Sequence, residues 1–194
     1  MINKSEQCIT PEMVSRICSG DISAYEEFVR GQWATAVRTC WLVLRNVYDA
    51  EEAAQNAFVN LYKFRCQLKD PDKFRIWFYQ ILLNAARQQW RRQPNTSAVP
   101  SIEVSEPADK IDQAETRIAV REAMCSLGKP ERIALVLCYF CDLTDREASI
   151  VAGWHLGTYK WRLAKARRQI AKRLQDGQAL KDEYDKGVKE SWMK

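Results

Sequence analysis

The chain has 194 residues, 46% of them hydrophobic and 28% charged, and its formal net charge is +5. This length predicts two small domains, and the apolar content is sufficient for hydrophobic cores, which argues against an intrinsically disordered protein. No apolar run has the length of a signal peptide or of a membrane span, so a cytoplasmic location is expected.

Two helices are predicted at the start of the chain. Thr10 and Pro11 have the residue types of an N-cap and a first helical position, and Gly20 is expected to end this short helix. From Asp21 to residue 44, apolar residues recur at intervals of three and four, which predicts a long amphipathic helix. A break in this helix is expected near Gly31.

Two further helices are predicted before residue 93. Asp49 and Glu52 have the spacing of a capping pair and predict the start of the third helix. Asp70-Pro71-Asp72 predicts the start of the fourth, in which apolar and polar residues occupy different faces. The apolar stripe contains Phe74, Trp77, Phe78, Ile81, Leu82 and Ala85, and the polar face contains Gln80, Asn84, Arg87, Gln88 and Arg91.

A change of composition follows residue 93. Residues 94–112 contain three prolines and four acidic residues without a sustained period, which predicts a flexible acidic linker. The chain is therefore expected to fold as all-α, with helical domains at residues 8–93 and 113–175. The acidic linker is also expected to shield basic surfaces of the free protein. For the polar tail at residues 176–194, a helical extension and a disordered end both stay open.

The second half has the pattern of a helix-turn-helix. Its first helix is predicted to begin near Ala114, and Pro130 is expected to lie in the first turn of an apolar helix that runs to residue 140. Thr144 and Glu147 form a predicted capping box at the start of a short helix ending near residue 152. Gly153-Trp154-His155 then supplies a turn, after which helical spacing resumes.

The last helix carries concentrated positive charge. Residues 160–173 contain no acidic residue, as expected for a recognition helix that contacts phosphates, although a solvated basic helix is the alternative. Helical spacing assigns Leu156, Tyr159, Leu163, Ala166 and Ile170 to the core and Thr158, Trp161, Arg162, Lys165 and Gln169 to the outer face.

Three segments together resemble the extracytoplasmic-function (ECF) sigma factors of the sigma-70 family. LTDREASIVAGWHLGTYKWRLAKAR, residues 143–167, resembles the σ4 helix-turn-helix and matches its GTxKxRLxxAR core without a gap. DAEEAAQNAF, residues 49–58, resembles the σ2 helix that binds the polymerase clamp. FRIWFYQILLNAARQQWRR, residues 74–92, resembles the σ2 segment that melts and reads the −10 element.

The resemblance implies a σ2-like helical bundle joined by a linker to a σ4-like helix-turn-helix, in a protein that directs RNA polymerase core enzyme to specific promoters. It implies as partners the core enzyme, promoter DNA and an anti-sigma factor. Core binding is expected of Glu51, Glu52, Gln55 and Phe58. Binding of the −10 strand is expected of Trp77, Gln80, Asn84, Arg87, Gln88, Arg91 and Arg92. Binding of the −35 duplex is expected of Thr158, Lys160, Trp161, Arg162 and Lys165.

Several positions depart from the family pattern. Asn56 replaces an acidic residue, Gln88 an aspartate, Gly128 a proline, and His155 the serine that caps the recognition helix. Trp161 replaces a small residue. Two roles of its ring stay open: contact with a thymine methyl group, and packing against the surface of its own helix. Packing is favoured for Trp77, whereas for Trp90 packing and a role in opening DNA are equally supported.

Other classes of function have weaker support. Cys138 and Cys141 form a C-x-x-C without a second pair of ligands, so buried thiols are favoured over a metal or redox site. No nucleophile, carboxylate pair or phosphate-binding loop accompanies the single histidine, so an enzyme or a bound cofactor is not expected. A helix-turn-helix regulator that acts without polymerase is the main alternative, and a helical adaptor is disfavoured by the basic run. The promoter sequence and the inducing signal cannot be read from the sequence.

Overall fold

The computed structural model describes residues 9–92, 123–124 and 126–192, with side chains as far as Gln175. Within these ranges the secondary structure is helical, which confirms the all-α prediction. The helices are α1 (Pro11–Ser19), α2 (Ile22–Leu44), α3 (Val47–Phe64), α4 (Phe74–Arg92), α5 (Lys129–Tyr139), α6 (Asp145–Ala152) and α7 (Leu156–Trp192). The predicted linker and the helix expected near Ala114 lie outside the described residues.

Local capping signals fix the first two helices. Thr10 accepts a hydrogen bond from the Met13 amide at the start of α1, and Gly20 ends the helix in the left-handed region, with a φ of 93°. Asp21 then caps α2, which agrees with the predicted start of helical spacing at this residue. The expected break near Gly31 is wrong, because α2 runs through this position and packs its buried face against the neighbouring helices.

The starts of α3 and α4 differ from the prediction. Asn46 caps α3 by accepting hydrogen bonds from the amides of Tyr48 and Asp49, so this helix starts earlier than expected and Asp49 lies in its first turn. Asp70 caps a short 3₁₀ turn, Pro71–Lys73, that leads directly into α4. Both errors concern helix ends, where neighbouring asparagine and aspartate residues compete for the cap.

An aromatic cluster holds α2, α3 and α4 together. The ring of Phe28 meets those of Phe74 and Phe78 nearly edge-on, with centroid separations of 5.1 and 5.3 Å. The Phe58 ring lies 5.5 Å from that of Phe78. Such edge-to-face pairs stabilise packing beyond the burial of apolar area. The cluster therefore fixes the orientation of α4 relative to α3.

The second half is built around α5. Pro130 lies in its first turn, which confirms the predicted helix, and residues 133–137 are all buried. The Tyr159 hydroxyl of α7 donates a hydrogen bond to the Ala134 carbonyl of α5, at 3.1 Å. This buried contact sets the rotation of α7 about its axis. The helix continues to Trp192, so the tail begins as a helical extension.

Helices from both halves also pack against each other. α4 contacts α6, and α2 contacts α5, so that the buried side chains form one contiguous cluster. Cys40 of α2 and Cys141, after α5, both lie in this cluster, each 1% exposed. The division into domains at residues 8–93 and 113–175 stays a prediction. Within the described part of the chain, no helix has the length and apolarity of a membrane span.

Candidate nucleic-acid interface

Two local features position α7, the predicted recognition helix. Thr144 and Glu147 form the predicted capping box at the start of α6. Gly153 ends α6 in the left-handed region, with a φ of 66°, and lets the chain turn into α7. Tyr159, Leu163 and Ala166 are buried as predicted, whereas Leu156 is 40% exposed and does not belong to the core.

Exposed side chains of the outer face of α7 have partners within the chain: Lys160 Nζ lies 4.0 Å from Oδ2 of Asp145, and the Trp161 ring centroid lies 5.3 Å from Lys165 Nζ. Thr158 and Lys160 are exposed, and Trp161 exposes 56% of its surface. The Arg162 guanidinium stacks on the Trp154 ring, 4.0 Å from its centroid, which is a favourable cation–π distance. Arg162 is thus held by the turn that precedes its own helix, with a geometry that restricts its rotamers.

Lys165 is tied to a buried carboxylate. Its Nζ lies 2.8 Å from Oε1 of Glu131, a residue only 5% exposed at the start of α5. Burial raises the pKa of the Glu131 carboxyl, but the hydrogen bond from Lys165 and the charges of Lys165 and Arg162 outweigh this and lower it below its ordinary value. Lys165 therefore supports the packing of α7 on α5, in addition to its predicted place on the DNA-binding face.

The predicted −10 residues of α4 fall into two groups. Asn84 and Gln88, with Arg91 and Arg92, are exposed along one edge of the helix. Trp77 is half-buried and its ring lies 6.2 Å from that of Phe74, which favours a packing role for Trp77. The exposed edge presents amide and guanidinium groups, which can bind base edges and phosphates.

Gln80 and Arg87 are engaged with the second half of the chain. Gln80 Nε2 donates to the Ile150 carbonyl at 3.3 Å, and Arg87 Nη2 donates to the Ala152 carbonyl at 2.7 Å. Partial burial and the charges of Arg91 and Arg162 lower the pKa of Arg87, although a guanidinium stays protonated in proteins. Each of these two side chains is therefore partly buried and has a backbone acceptor in the second half of the chain.

The predicted core-binding residues of α3 are divided by burial. Glu51, Glu52 and Gln55 are exposed along one face. Phe58 is 3% exposed and belongs to the aromatic cluster, so its prediction as a contact residue is corrected: it supports the helix from inside. Glu52 also pairs with Arg92 across the helices, at 3.3 Å. The end of α4 therefore lies beside the face predicted to bind polymerase.

Sequence reasoning missed two residues of this region. Arg75 Nη2 donates to the carbonyls of Cys141 and Asp142, and Trp154 receives both Arg87 and Arg162 on its ring. The partners of Arg75 are 66 and 67 residues away along the chain. The contacts of Arg75 and of Arg87 cross between the two halves, so no local pattern could have indicated them, whereas Arg162 and Trp154 lie within the same helix-turn-helix.

The C-x-x-C cysteines lie at the edge of α5. Burial raises the pKa of the Cys141 thiol to about 12, and Cys138 is half-buried with its Sγ 3.9 Å from Arg167 Nη2. Cys40 likewise has a pKa raised to about 12 by burial. Among the described residues, no group of His, Cys, Asp and Glu side chains has the arrangement of a metal site.

Comparison with known proteins identifies relatives of the whole region. Residues 25–96 match the family model of Sigma-70 region 2. The chain is 27% identical over 163 residues to the ECF RNA polymerase sigma factor SigM of Mycobacterium tuberculosis, covering 84% of this chain and 83% of SigM. It is 28% identical over 190 residues to the ECF RNA polymerase sigma-E factor of Escherichia coli K12, covering 88% and 97%.

The fold is also similar to a solved structure. CnrH, determined in complex with the cytosolic domain of CnrY, superposes with a TM-score of 0.65 at 20% identity, covering 86% of this chain and 97% of CnrH. At this level of identity the likeness concerns the fold. It extends over both halves of the chain and agrees with the arrangement of helices described above.

Proposed function

Because the chain belongs to the ECF group of the sigma-70 family and so serves promoter-directed transcription initiation, we propose that it uses two separate DNA-binding faces. The face of α7 binds the −35 duplex, and the exposed edge of α4 binds the opened −10 strand. The observation that carries this proposal is the exposed row of Asn84, Gln88 and Arg91 on α4, inside the segment that matches Sigma-70 region 2.

The chemistry of each face suits its element. An amide such as that of Asn84 can hydrogen-bond a base edge once the base is unstacked, while Arg91 and Arg92 hold the adjacent phosphates. On α7, Arg162 has the planar guanidinium that reads guanine, and Lys160 supplies a charge for phosphate. Contacts to bases select the promoter, whereas contacts to phosphates fix the register.

Partners follow from the same proposal. RNA polymerase core enzyme binds the exposed face of α3 formed by Glu51, Glu52 and Gln55. The relatives are named as RNA polymerase sigma factors, and CnrH was solved with the cytosolic domain of CnrY, which supports control by a regulatory protein of the anti-sigma type. The chain acts as a non-catalytic initiation factor in the cytoplasm, where promoter DNA and polymerase meet.

The test is promoter-specific initiation by core enzyme supplemented with the purified chain, on the DNA upstream of its own operon. A specific run-off transcript that requires the chain is expected. If the chain neither associates with core enzyme nor supports a transcript, the proposal fails, and duplex binding in the absence of polymerase would then favour an independent helix-turn-helix regulator.

A matched pair of variants sharpens this test. Gln55→Arg places a bulky charge on the exposed face of α3 and should abolish association with core enzyme. Gln67→Arg makes the same change in the exposed turn that follows α3 and should leave association intact. Equal association by both variants would remove α3 from the polymerase interface.

A further inference from the structure

Trp154 lies in the turn of the helix-turn-helix, shortly before α7, and its ring has two kinds of neighbour. The ring is partly buried and packs against the hydrophobic core. It also carries the Arg162 guanidinium, whose central carbon lies 4.0 Å from the ring centroid. The core therefore fixes the ring that supports this arginine.

The turn itself does not depend on the Trp154 ring. The Trp154 amide donates to the Ser149 carbonyl at 2.9 Å, through a backbone hydrogen bond that most residue types can make. Gly153 supplies the left-handed conformation that ends α6. A smaller side chain at position 154 is therefore expected to keep the turn and to change only what the ring contacts.

A buried carboxylate acts on Arg162 from α5. The charge of Arg162 helps to lower the pKa of the Glu131 carboxyl, so the guanidinium lies within the electrostatic reach of this 5% exposed residue. Gly128 leaves the space that the carboxylate occupies, because a Cβ at this position would lie 2.5 Å from Oε2 of Glu131. Arg162 is thus attracted by a charge on α5 and supported by the ring of the preceding turn.

Stacking leaves Arg162 able to bind a base. An aromatic ring contacts the face of a guanidinium, whereas the N–H groups that bind O6 and N7 of guanine lie in its plane and point outward from its edge. An arginine that nothing holds must lose rotamer freedom when it forms this bidentate pair. Arg162 loses part of that freedom on folding, so less is lost when it binds a guanine.

We propose that Trp154 is a positioning residue for base recognition, whose ring holds the Arg162 guanidinium in the orientation that binds one guanine of the −35 element. The role in recognition rests on the proposed function of α7, whereas the restriction of Arg162 in the free chain does not. Loss of the ring weakens binding where that guanine is present. Where another base replaces it, Arg162 forms no bidentate pair with or without the ring, so binding hardly changes. Trp154 therefore determines specificity more than affinity.

The first measurement uses the free full-length chain. Magnetic relaxation of isotope-labelled arginine side chains reports the order of each Nε–H group, and Arg162→Ala identifies the Arg162 signal by its loss. This group should be more ordered than that of Arg168, an exposed arginine of the same helix. Trp154→Leu should remove the difference, and Trp154→Phe, which keeps an aromatic face, should retain most of it. Equal order of the two arginines in the wild type overturns the proposal.

The second measurement uses holoenzyme assembled from core enzyme and the full chain, with duplex DNA from upstream of its own operon. Each guanine of the −35 region is replaced singly by adenine, and the base at which Arg162→Ala loses discrimination identifies the contact. At this base, Trp154→Leu should reduce discrimination about fivefold, or about 1 kcal/mol, which is the ordering cost of one side chain. Trp154→Phe should keep most of the discrimination.

Tyr139→Leu is the matched control. It also removes a ring beside an arginine of α7, since the Arg167 guanidinium carbon lies 5.5 Å from the Tyr139 ring centroid, and Arg167 is not among the predicted −35 residues. Discrimination by this variant should equal that of the wild type. Circular dichroism checks that each variant folds, and Trp154→Met takes the place of Trp154→Leu if the latter loses its helical signal.

The outcomes separate this inference from the proposed function. If Arg162→Ala changes discrimination at no base, base reading by α7 fails, and the role of Trp154 in recognition fails with it, while ordering of Arg162 by the ring is decided by relaxation alone. If Arg162→Ala changes discrimination but Trp154→Leu does not, positioning is overturned and the proposed function stands. An equal loss in Trp154→Phe or in Tyr139→Leu would assign the effect to general packing and would also overturn it.

Discussion

Asn84 is the residue of α4 for which a direct effect on promoter opening can be isolated. Its side chain is exposed and lies between Gln80 and Arg87 on the same face of the helix. Asn84→Ala should leave association with core enzyme unchanged and reduce open-complex formation about tenfold, because a good hydrogen bond to a base edge contributes roughly 1–3 kcal/mol. Permanganate footprinting of the −10 region measures this effect. Gln67→Ala is the control, and equal opening by both variants would contradict a role for Asn84.

The pair of Lys165 and Glu131 gives a pH-dependent contribution to stability. The pKa of Glu131 is lowered in the folded protein, so the pair stabilises the fold above the unfolded pKa of about 4.3 and loses this effect as the pH falls through the folded pKa. Lys165→Met leaves a buried carboxylate without its cation. We expect it to cost roughly 1–3 kcal/mol at neutral pH and much less below about pH 4.

Urea denaturation tests this expectation when it is carried out at neutral pH and again at about pH 3.5, which lies below the ordinary pKa of a glutamate carboxyl. Lys172→Met, an exposed lysine of the same helix, is the control and should show no comparable difference. A cost of Lys165→Met that is the same at both pH values would mean that the ion pair contributes little and that lost packing accounts for the change.

At the scale of single elements, α6 depends most on its caps. It has eight residues, and isolated helices of this length are marginal in water, so the capping box of Thr144 and Glu147 contributes a large share of its stability. Thr144→Ala should lower the free energy of unfolding by about 1 kcal/mol. Thr158→Ala, at an exposed position of α7, should stay within about 0.5 kcal/mol of the wild type.

Chemical denaturation followed by circular dichroism measures both variants. If Thr144→Ala is as stable as Thr158→Ala, α6 is held by its tertiary contacts with α4 and α5, and the cap only sets where the helix begins. Because α6 also bears the carbonyls to which Gln80 and Arg87 donate, a weakened cap should also weaken the packing of α6 on α4.

Helix positions were predicted well where short-range chemistry decides them. Thr10, Gly20 and the Thr144–Glu147 box act within one helical turn, and the structure confirms all three. Gly31 was misread because a local propensity cost is offset by burial of the surrounding helix. Phe58 shares a motif with exposed neighbours, and only the packing of α2 and α4 shows that its ring points inward.

At the scale of the whole molecule, the relation between the halves could not be predicted from sequence. A linker pattern indicates that two units exist, but contacts such as those of Arg75 and Arg87 join residues about 65 positions apart and leave no periodic signal. Individual side chains of α4 were assigned to DNA from the resemblance of residues 74–92 to the σ2 segment that reads the −10 element. The structure adds that Gln80 and Arg87 have a second set of acceptors within the same chain.

The buried thiols between the halves allow the separation of the halves to be followed by chemical modification. Cys40 and Cys141 are 1% exposed, with pKa values of about 12, and a thiol reacts with an alkylating reagent only as an accessible thiolate. Cys66 is exposed and serves as an internal reference. The ratio of alkylation rates, read by mass spectrometry, therefore reports how often the halves separate. Separation of the halves would therefore appear as faster modification of Cys40 and Cys141 relative to Cys66.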